Sequence, residues 1–259
     1  MILGLVQGLT EFLPVSSTAH LILVTGALGL DPAKFGLSFD VALHLGTALA
    51  VLLYFARTWL GLAADLFARR WRMPLLVIVG TLPAAVAGLL LESTVERTLR
   101  APIWIVLGLV LGSIAFVAVE RIADRRRVMD ELRLADAIFM GAAQAIALLP
   151  GISRSGITIS AGLLRGLTRE DATRFSFLLA TPVILGAGVK TLLDARKAAE
   201  LFAAPDVLAA GFVVSFVSGL AAVAFLVRFL RTHSLNWFVA YRLVLAAVVL
   251  AALIAGLPV

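Results

Sequence analysis

The chain has 259 residues, 61% of them hydrophobic and 15% charged, and its mean hydropathy is +1.05. A soluble fold keeps a largely polar surface and could not hide so much apolar side chain, so the composition excludes one and implies a polytopic membrane protein. The net charge of +6 comes without basic residues interleaved with aromatics, which argues against nucleic-acid binding, and the lack of Cys removes disulfides, thiolate metal sites and Cys nucleophiles.

The first residues do not read as a cleavable signal, since no Lys or Arg opens the run and polar residues interrupt it early. A bilayer core of about 30 Å needs about 20 apolar residues in a helix. Residues 1–27 fall short of that: two apolar helical runs are separated by Pro14 and a Ser-rich turn. Spans follow at roughly 39–56, 74–91 and 102–119. Residues 136–166 repeat the helix–break–helix pattern around Pro150, and three further spans lie at roughly 175–192, 207–227 and 238–257. The connections after the first, third and fifth spans carry most of the basic residues: Arg57, Arg69, Arg70 and Arg72, then Arg121, Arg125, Arg126, Arg127 and Arg133, then Arg228 and Arg231. The alternate connections hold only Arg97 with Arg100, and Arg196 with Lys197. An excess of Lys and Arg marks cytoplasmic loops, so the first span starts outside and the last ends there.

Both broken stretches fit hairpins that enter and leave by one face, because irregular backbone at membrane depth survives only where protein or water covers it. PVSSTAH (14–20) aligns with PGISRSG (150–156), Ser17 against Ser153, with Gln7 and Gln144 a little upstream of each. Three spans follow each hairpin. Three is odd, so the second copy is inverted relative to the first. The expected fold is an all-α polytopic membrane protein with about six transmembrane helices and two re-entrant hairpins in an inverted-topology repeat. It forms one membrane domain over 1–259, with repeat halves of about 1–120 and 136–259 and a cytoplasmic linker of about 121–135.

Chemistry-bearing residues gather in the two hairpins. Gln7 and Glu11 are four apart and share a helix face. Pro14 ends that helix. Ser16, Ser17 and Thr18 occupy the turn, where hydroxyls cap the next helix, and capping alone would account for them. Glu11 is different, because a carboxylate at membrane depth marks a functional site by default, and His20 lies nearby in the next helix. The second hairpin places Ser153, Arg154 and Ser155 between Gly151 and Gly156. Free N–H groups after Gly151, together with the planar Arg154 fork, suit phosphate oxygens. Arg154 could also simply pair with Glu11, and the two uses are compatible. Asp40 and His44, also four apart, fit an interhelical hydrogen bond better than catalysis. Gly108 and Gly112 form a Gly-x-x-x-Gly pair, a contact that would serve packing or a homodimer.

Gln7-x-x-x-Glu11 followed by FLPVSSTAH, with PGISRSG in the second half, resembles the undecaprenyl-diphosphate phosphatase family, also called the bacitracin-resistance protein family. FDVALHLGTALAVLLYF (39–55) and RFSFLLATPVILGAG (174–188) are similar to it as well. The resemblance implies hydrolysis of undecaprenyl diphosphate to the monophosphate, which recycles the lipid carrier for cell-wall synthesis and gives bacitracin resistance. It implies a multi-pass protein of the bacterial inner membrane with a polyprenyl diphosphate partner. By motif position, Gln7 and Glu11 fill the (E/Q)xxxE element, while Ser16, Ser17, Thr18 and His20 match its hydroxyl-rich turn and histidine. Ser153, Arg154 and Ser155 match the second turn. The family also implies a divalent cation, Mg²⁺ or Ca²⁺, with Glu11 as the metal ligand; Gln7 in place of Glu leaves any two-acid site one carboxylate short.

On this reading Arg154 and the N–H groups after Gly151 bind the diphosphate. Ser17 or a water attacks the terminal phosphorus with His20 moving the proton, and Glu11 orients His20 or, with a cation, holds the phosphate. The charge count puts the mouth of the first hairpin, and with it the site, on the extracytoplasmic side. A carrier or flippase for an anionic or lipid-phosphate substrate would share the architecture, and the density of hydroxyls beside His20 favours an enzyme over it.

Overall fold

The computed structural model describes residues 1–31, 34–202 and 204–257, without the side chains of residues 92, 93, 96 and 97; the expectation placed on Arg97 therefore lies outside the described residues. Hydrophobic runs become helices because a backbone in lipid must satisfy its own N–H and C=O groups. Among the described residues, six helices are long and apolar enough to cross a membrane: α3 (Leu37–Tyr54), α5 (Arg72–Thr94), α6 (Pro102–Ile122), α9 (Arg169–Leu193), α11 (Pro205–Phe229) and α12 (Asn236–Ile254). These match the six expected spans. Each broken stretch is a pair of shorter helices, α1 (Ile2–Phe12) with α2 (Ser17–Ala27), and α7 (Leu134–Ile146) with α8 (Arg154–Leu164). Two helices were not anticipated, α4 (Ala56–Phe67) and α10 (Ala195–Leu201), both in connections.

The largest shift in a boundary is at α9, which starts six positions before the apolar run. Its start is set by a cap rather than by hydropathy. Thr168 accepts a hydrogen bond from the Asp171 N–H at 3.1 Å, and Glu170 and Asp171 lie in the first turn, where the helix dipole favours negative charge.

The two broken stretches interlock with the long helices in matching ways. α1 packs on α11 and α7 on α5. A Cβ at Gly4 would run into the Gly211 carbonyl, and one at Gly141 into the Gly80 carbonyl, so the backbones touch where only glycine fits. α6 packs along α12. The expected register needs a correction of one residue. Ser16 and Ser153, not Ser17 and Ser153, are the equivalent positions: both are N-caps with a positive φ, 75° and 74°. The same offset relates Gly4 to Gly141, Gln7 to Gln144, Pro14 to Gly151 and Ser17 to Arg154. The alignment by residue type followed the hydroxyls, whereas the backbone follows the cap.

The two stretches open at opposite ends of the molecule. At the base of the first, Leu3 packs with Phe39, Leu43 and the start of α11 at Val207 and Leu208. At the base of the second the Arg-rich connections gather. Asp136 Oδ2 accepts from Arg127 Nη2 at 2.8 Å and from the Arg133 N–H at 2.9 Å, and its Oδ1 accepts from Arg165 Nε at 2.5 Å. Arg72 donates to the Asp130 and Leu132 carbonyls at 2.5 and 2.7 Å. Glu120 takes a bidentate pair from Arg169 at 3.0 and 2.6 Å, a bond from Arg125 at 2.7 Å and the Leu235 N–H at 2.9 Å. The stretch between α6 and α7 is thus a pinned connection. It also pairs Arg127 with Gly166 and Thr168 through backbone hydrogen bonds.

Candidate active site

The tips of the two broken stretches meet inside the bundle. α1 stops at Leu13, which is extended (φ −64°, ψ 141°) ahead of Pro14. Ser16 then takes the left-handed φ of 75°, a strained conformation for a residue with a Cβ. Its Oγ accepts the Gly151 N–H at 3.0 Å, which joins one tip to the other. Gly151 itself has φ 93°, and a Cβ there would crowd the Ile105 carbonyl and the Leu109 N–H. Ser153 caps α8, accepting the Gly156 N–H at 3.3 Å, and lies 3.2 Å from Ser155 Oγ. Ser155 in turn donates to the Leu13 carbonyl of the first tip at 3.3 Å.

Glu11, 5% exposed, is the centre of this junction. Its Oε2 accepts from Ser17 Oγ at 2.5 Å and Gln7 Nε2 at 2.9 Å, and its Oε1 pairs with the Arg154 guanidinium of the other tip. His44 Nε2 lies 3.3 Å from Oε2. His44 Nδ1 faces only an acceptor, the Asp40 carbonyl at 2.7 Å, and therefore carries a hydrogen. A carboxylate at the C-terminal end of a helix opposes the dipole, and here the Arg154 guanidinium, two neutral donors and the His44 ring surround it.

Gln7, Glu11, Ser16, Ser17, Gly151, Ser153, Arg154 and Ser155 thus lie together where the two tips meet. Thr18 is half-buried in the first turn of α2. His20 is placed differently. Its Nδ1 donates to the Ser16 carbonyl at 2.8 Å and its Nε2 meets Tyr241 Oη at 2.6 Å, so the histidine on Glu11 is His44 rather than His20. Asp40 pairs with Arg100 at 3.0 Å instead of reaching the junction. The hydrogen bond expected from the Asp40 and His44 pair is made, but it falls on the one acid at the tips. Gly108 and Gly112 are spent inside the chain: a Cβ at Gly108 would meet the Pro150 carbonyl, and one at Gly112 the Arg242 guanidinium. Arg242 and Tyr241, outside the sequence motifs, also reach the tips and His20 respectively; the signal for Arg242 is a charge inside an apolar span.

The implied divalent cation finds a poor donor set. Among the described residues Glu11 is the single carboxylate at the junction, and both its oxygens are engaged. Among the described residues no three His, Asp or Glu side chains gather as metal ligands. Gln7 Oε1 is a buried acceptor without a partner. One occupied carboxylate and one amide oxygen do not make a site that holds Mg²⁺ or Ca²⁺ by protein ligands alone.

What the junction offers is a hydroxyl seated on a carboxylate, with a guanidinium opposite and the start of α8 beneath it. Those parts suit attack on a phosphoryl group and the binding of its oxygens, on an all-α membrane scaffold. The class so defined is an all-α integral membrane protein in which two broken helices meet at a buried polar junction. The family model described as bacitracin resistance protein BacA matches residues 1–248, and the chain belongs to that family. It is similar to the undecaprenyl-diphosphatase of Rubrobacter xylanophilus, 45% identical over 98% of this chain and 97% of that one. Those of Thermodesulfovibrio yellowstonii (41%, covering 96% and 94%) and Corynebacterium diphtheriae (43%, covering 99% and 94%) are similar as well.

Proposed function

We propose that the chain is a membrane phosphatase that cleaves undecaprenyl diphosphate to undecaprenyl phosphate and inorganic phosphate. The relatives' activity supports this reading, and the observation that carries it is Ser17 Oγ donating to Glu11 Oε2 at 2.5 Å with Arg154 on the other oxygen. The terminal phosphoryl group draws the Arg154 guanidinium to its own oxygens and leaves Glu11 to accept the Ser17 proton. Ser17 Oγ attacks phosphorus, the bond to the bridging oxygen breaks, and the lipid leaves as its monophosphate. Glu11 gives its proton to solvent, then takes one from a water that attacks the phosphoserine. Phosphate departs as Ser17 Oγ regains a proton. Ser17 is favoured over a direct water attack because its hydroxyl already sits on the base. His20 supports the reaction indirectly, through the Ser16 carbonyl of the strained tip.

The prenyl tail needs apolar surface. A groove of about 380 Å³ between α3, α5 and α9, lined by Val41, Ala84, Leu89, Leu148, Pro182 and Val183, offers it. In this reading the Arg-rich end faces the cytoplasm of a bacterial inner membrane, each broken stretch enters and leaves by one face, and the mouth of the first lies outside; the excess of basic residues in alternate connections supports it. The test is phosphate release from undecaprenyl diphosphate by the purified protein in detergent. Steady release supports the reading. No release, with the lipid bound or moved across vesicles, overturns it in favour of a carrier.

A further inference from the structure

Arg242 of α12 is fully buried, and none of its partners is a carboxylate. Its Nη1 donates to the Pro14 carbonyl at 3.0 Å and its Nη2 to the Gly151 carbonyl at 2.9 Å. These two carbonyls occupy equivalent positions in the two tips. Nη2 also reaches the Gly108 and Leu109 carbonyls of α6 at 3.2 and 3.1 Å, and Nε donates to Ser113 Oγ at 3.0 Å. The ring of Phe116 lies 4.7 Å from the guanidinium carbon. Burying a charge without an opposite charge is costly, and a side chain that only filled space there would be apolar. A planar fork with five donors is the group that can hold carbonyls from three segments at once.

We infer that Arg242 is a positioning residue for the proposed phosphatase reaction, one that ties the two tips together so that Ser17 and Glu11 from one meet Arg154 from the other. The inference rests on the reading of the junction as the phosphatase site. Arg242 does not touch substrate, so its loss acts on the approach of the nucleophile rather than on binding. It therefore lowers kcat and leaves KM near its parent value. Lys keeps the charge but presents a compact ammonium that cannot span both carbonyls, so it does not restore the rate.

The chain has no native Cys, which permits a clean distance readout. Leu9→Cys with Ile146→Cys places spin labels at exposed positions of α1 and α7, 41% and 57% exposed, a few residues before the two breaks. The full-length labelled parent and its Arg242→Lys derivative are compared in detergent by kinetics on undecaprenyl diphosphate and by pulsed dipolar spectroscopy. The expected result is a kcat lower by about tenfold or more, a KM within about threefold, and a broadened label distance distribution. A kcat within about twofold of the parent overturns the inference, and so does a lowered kcat with an unaltered distance distribution. If Arg242→Lys does not fold, Arg242→Gln takes its place, since an amide with a single NH₂ cannot hold the Pro14, Gly151 and α6 carbonyls together; the same two outcomes decide. A parent that releases no phosphate fails the phosphatase reading itself, while the distance readout still decides whether Arg242 holds the tips.

Discussion

Glu11 shows how one side chain can be made both stable and reactive. A lone carboxylate in a bundle of this kind would be expensive, and Arg154, His44, Ser17 and Gln7 together offset that cost. The same contacts aim Ser17 at the place where a phosphoryl group would sit between it and Arg154. Ser17→Ala should lower turnover by about a hundredfold or more with little change in lipid binding, and rapid quench of the parent with terminally labelled diphosphate should leave label on Ser17. An active Ser17→Ala protein would point to water as the attacking group. The residues legible beforehand were those that stand in a polar cluster: Gln7, Glu11, Ser17 and Arg154 mark themselves in an apolar chain. His44 and Arg242 lie in long apolar helices away from both tips in sequence, and only the packing of α3 and α12 against the tips reveals what they touch.

At the scale of elements, hydropathy located all six spanning helices because lipid rewards unbroken apolar runs. It could not see where caps extend them, as at Thr168, nor the amphipathic α4, whose polar face breaks the run. The breaks themselves were legible from Pro14 and Pro150, whereas their register depends on backbone angles at Ser16 and Ser153 that no residue type dictates. The base of α7 carries its own test. Asp136 lies outside the spanning helices; burial works against its charge, but hydrogen bonds from Arg127, the Arg133 N–H and Arg165 hold its carboxyl below the usual range. A group with a lowered value in the fold stabilises it fully above the unfolded carboxyl value of about 3.9, and that contribution is lost as pH falls through the folded value. Asp136→Asn should therefore cost about 1–2 kcal/mol at neutral pH, because Asp136 is buried while its partners Arg127 and Arg165 are partly exposed and water makes up part of the loss. The gap in thermal stability between parent and variant should hold down to about pH 5 and narrow below about pH 4. A gap that widens on acidification would contradict the assignment.

For the whole molecule, the bases of the two broken stretches lie at opposite ends and their tips share one junction. The lack of native Cys makes the orientation measurable. Cys placed in the Arg-rich connections, at Arg70 or Arg126, should react with an impermeant thiol reagent only after cells are permeabilised, whereas Cys at Lys34 should react in intact cells. The reverse pattern would invert the proposed orientation. The claim on which the rest depends is that Glu11 and Ser17 from the first tip and Arg154 from the second form a single diphosphate site. Phosphate release from undecaprenyl diphosphate by purified Arg154→Ala, beside the parent and with insertion checked, tests it most directly. Removing the cation should leave less than about one hundredth of the parent turnover in a protein that still inserts and stays monodisperse. Near-parent turnover from that variant would contradict the shared site.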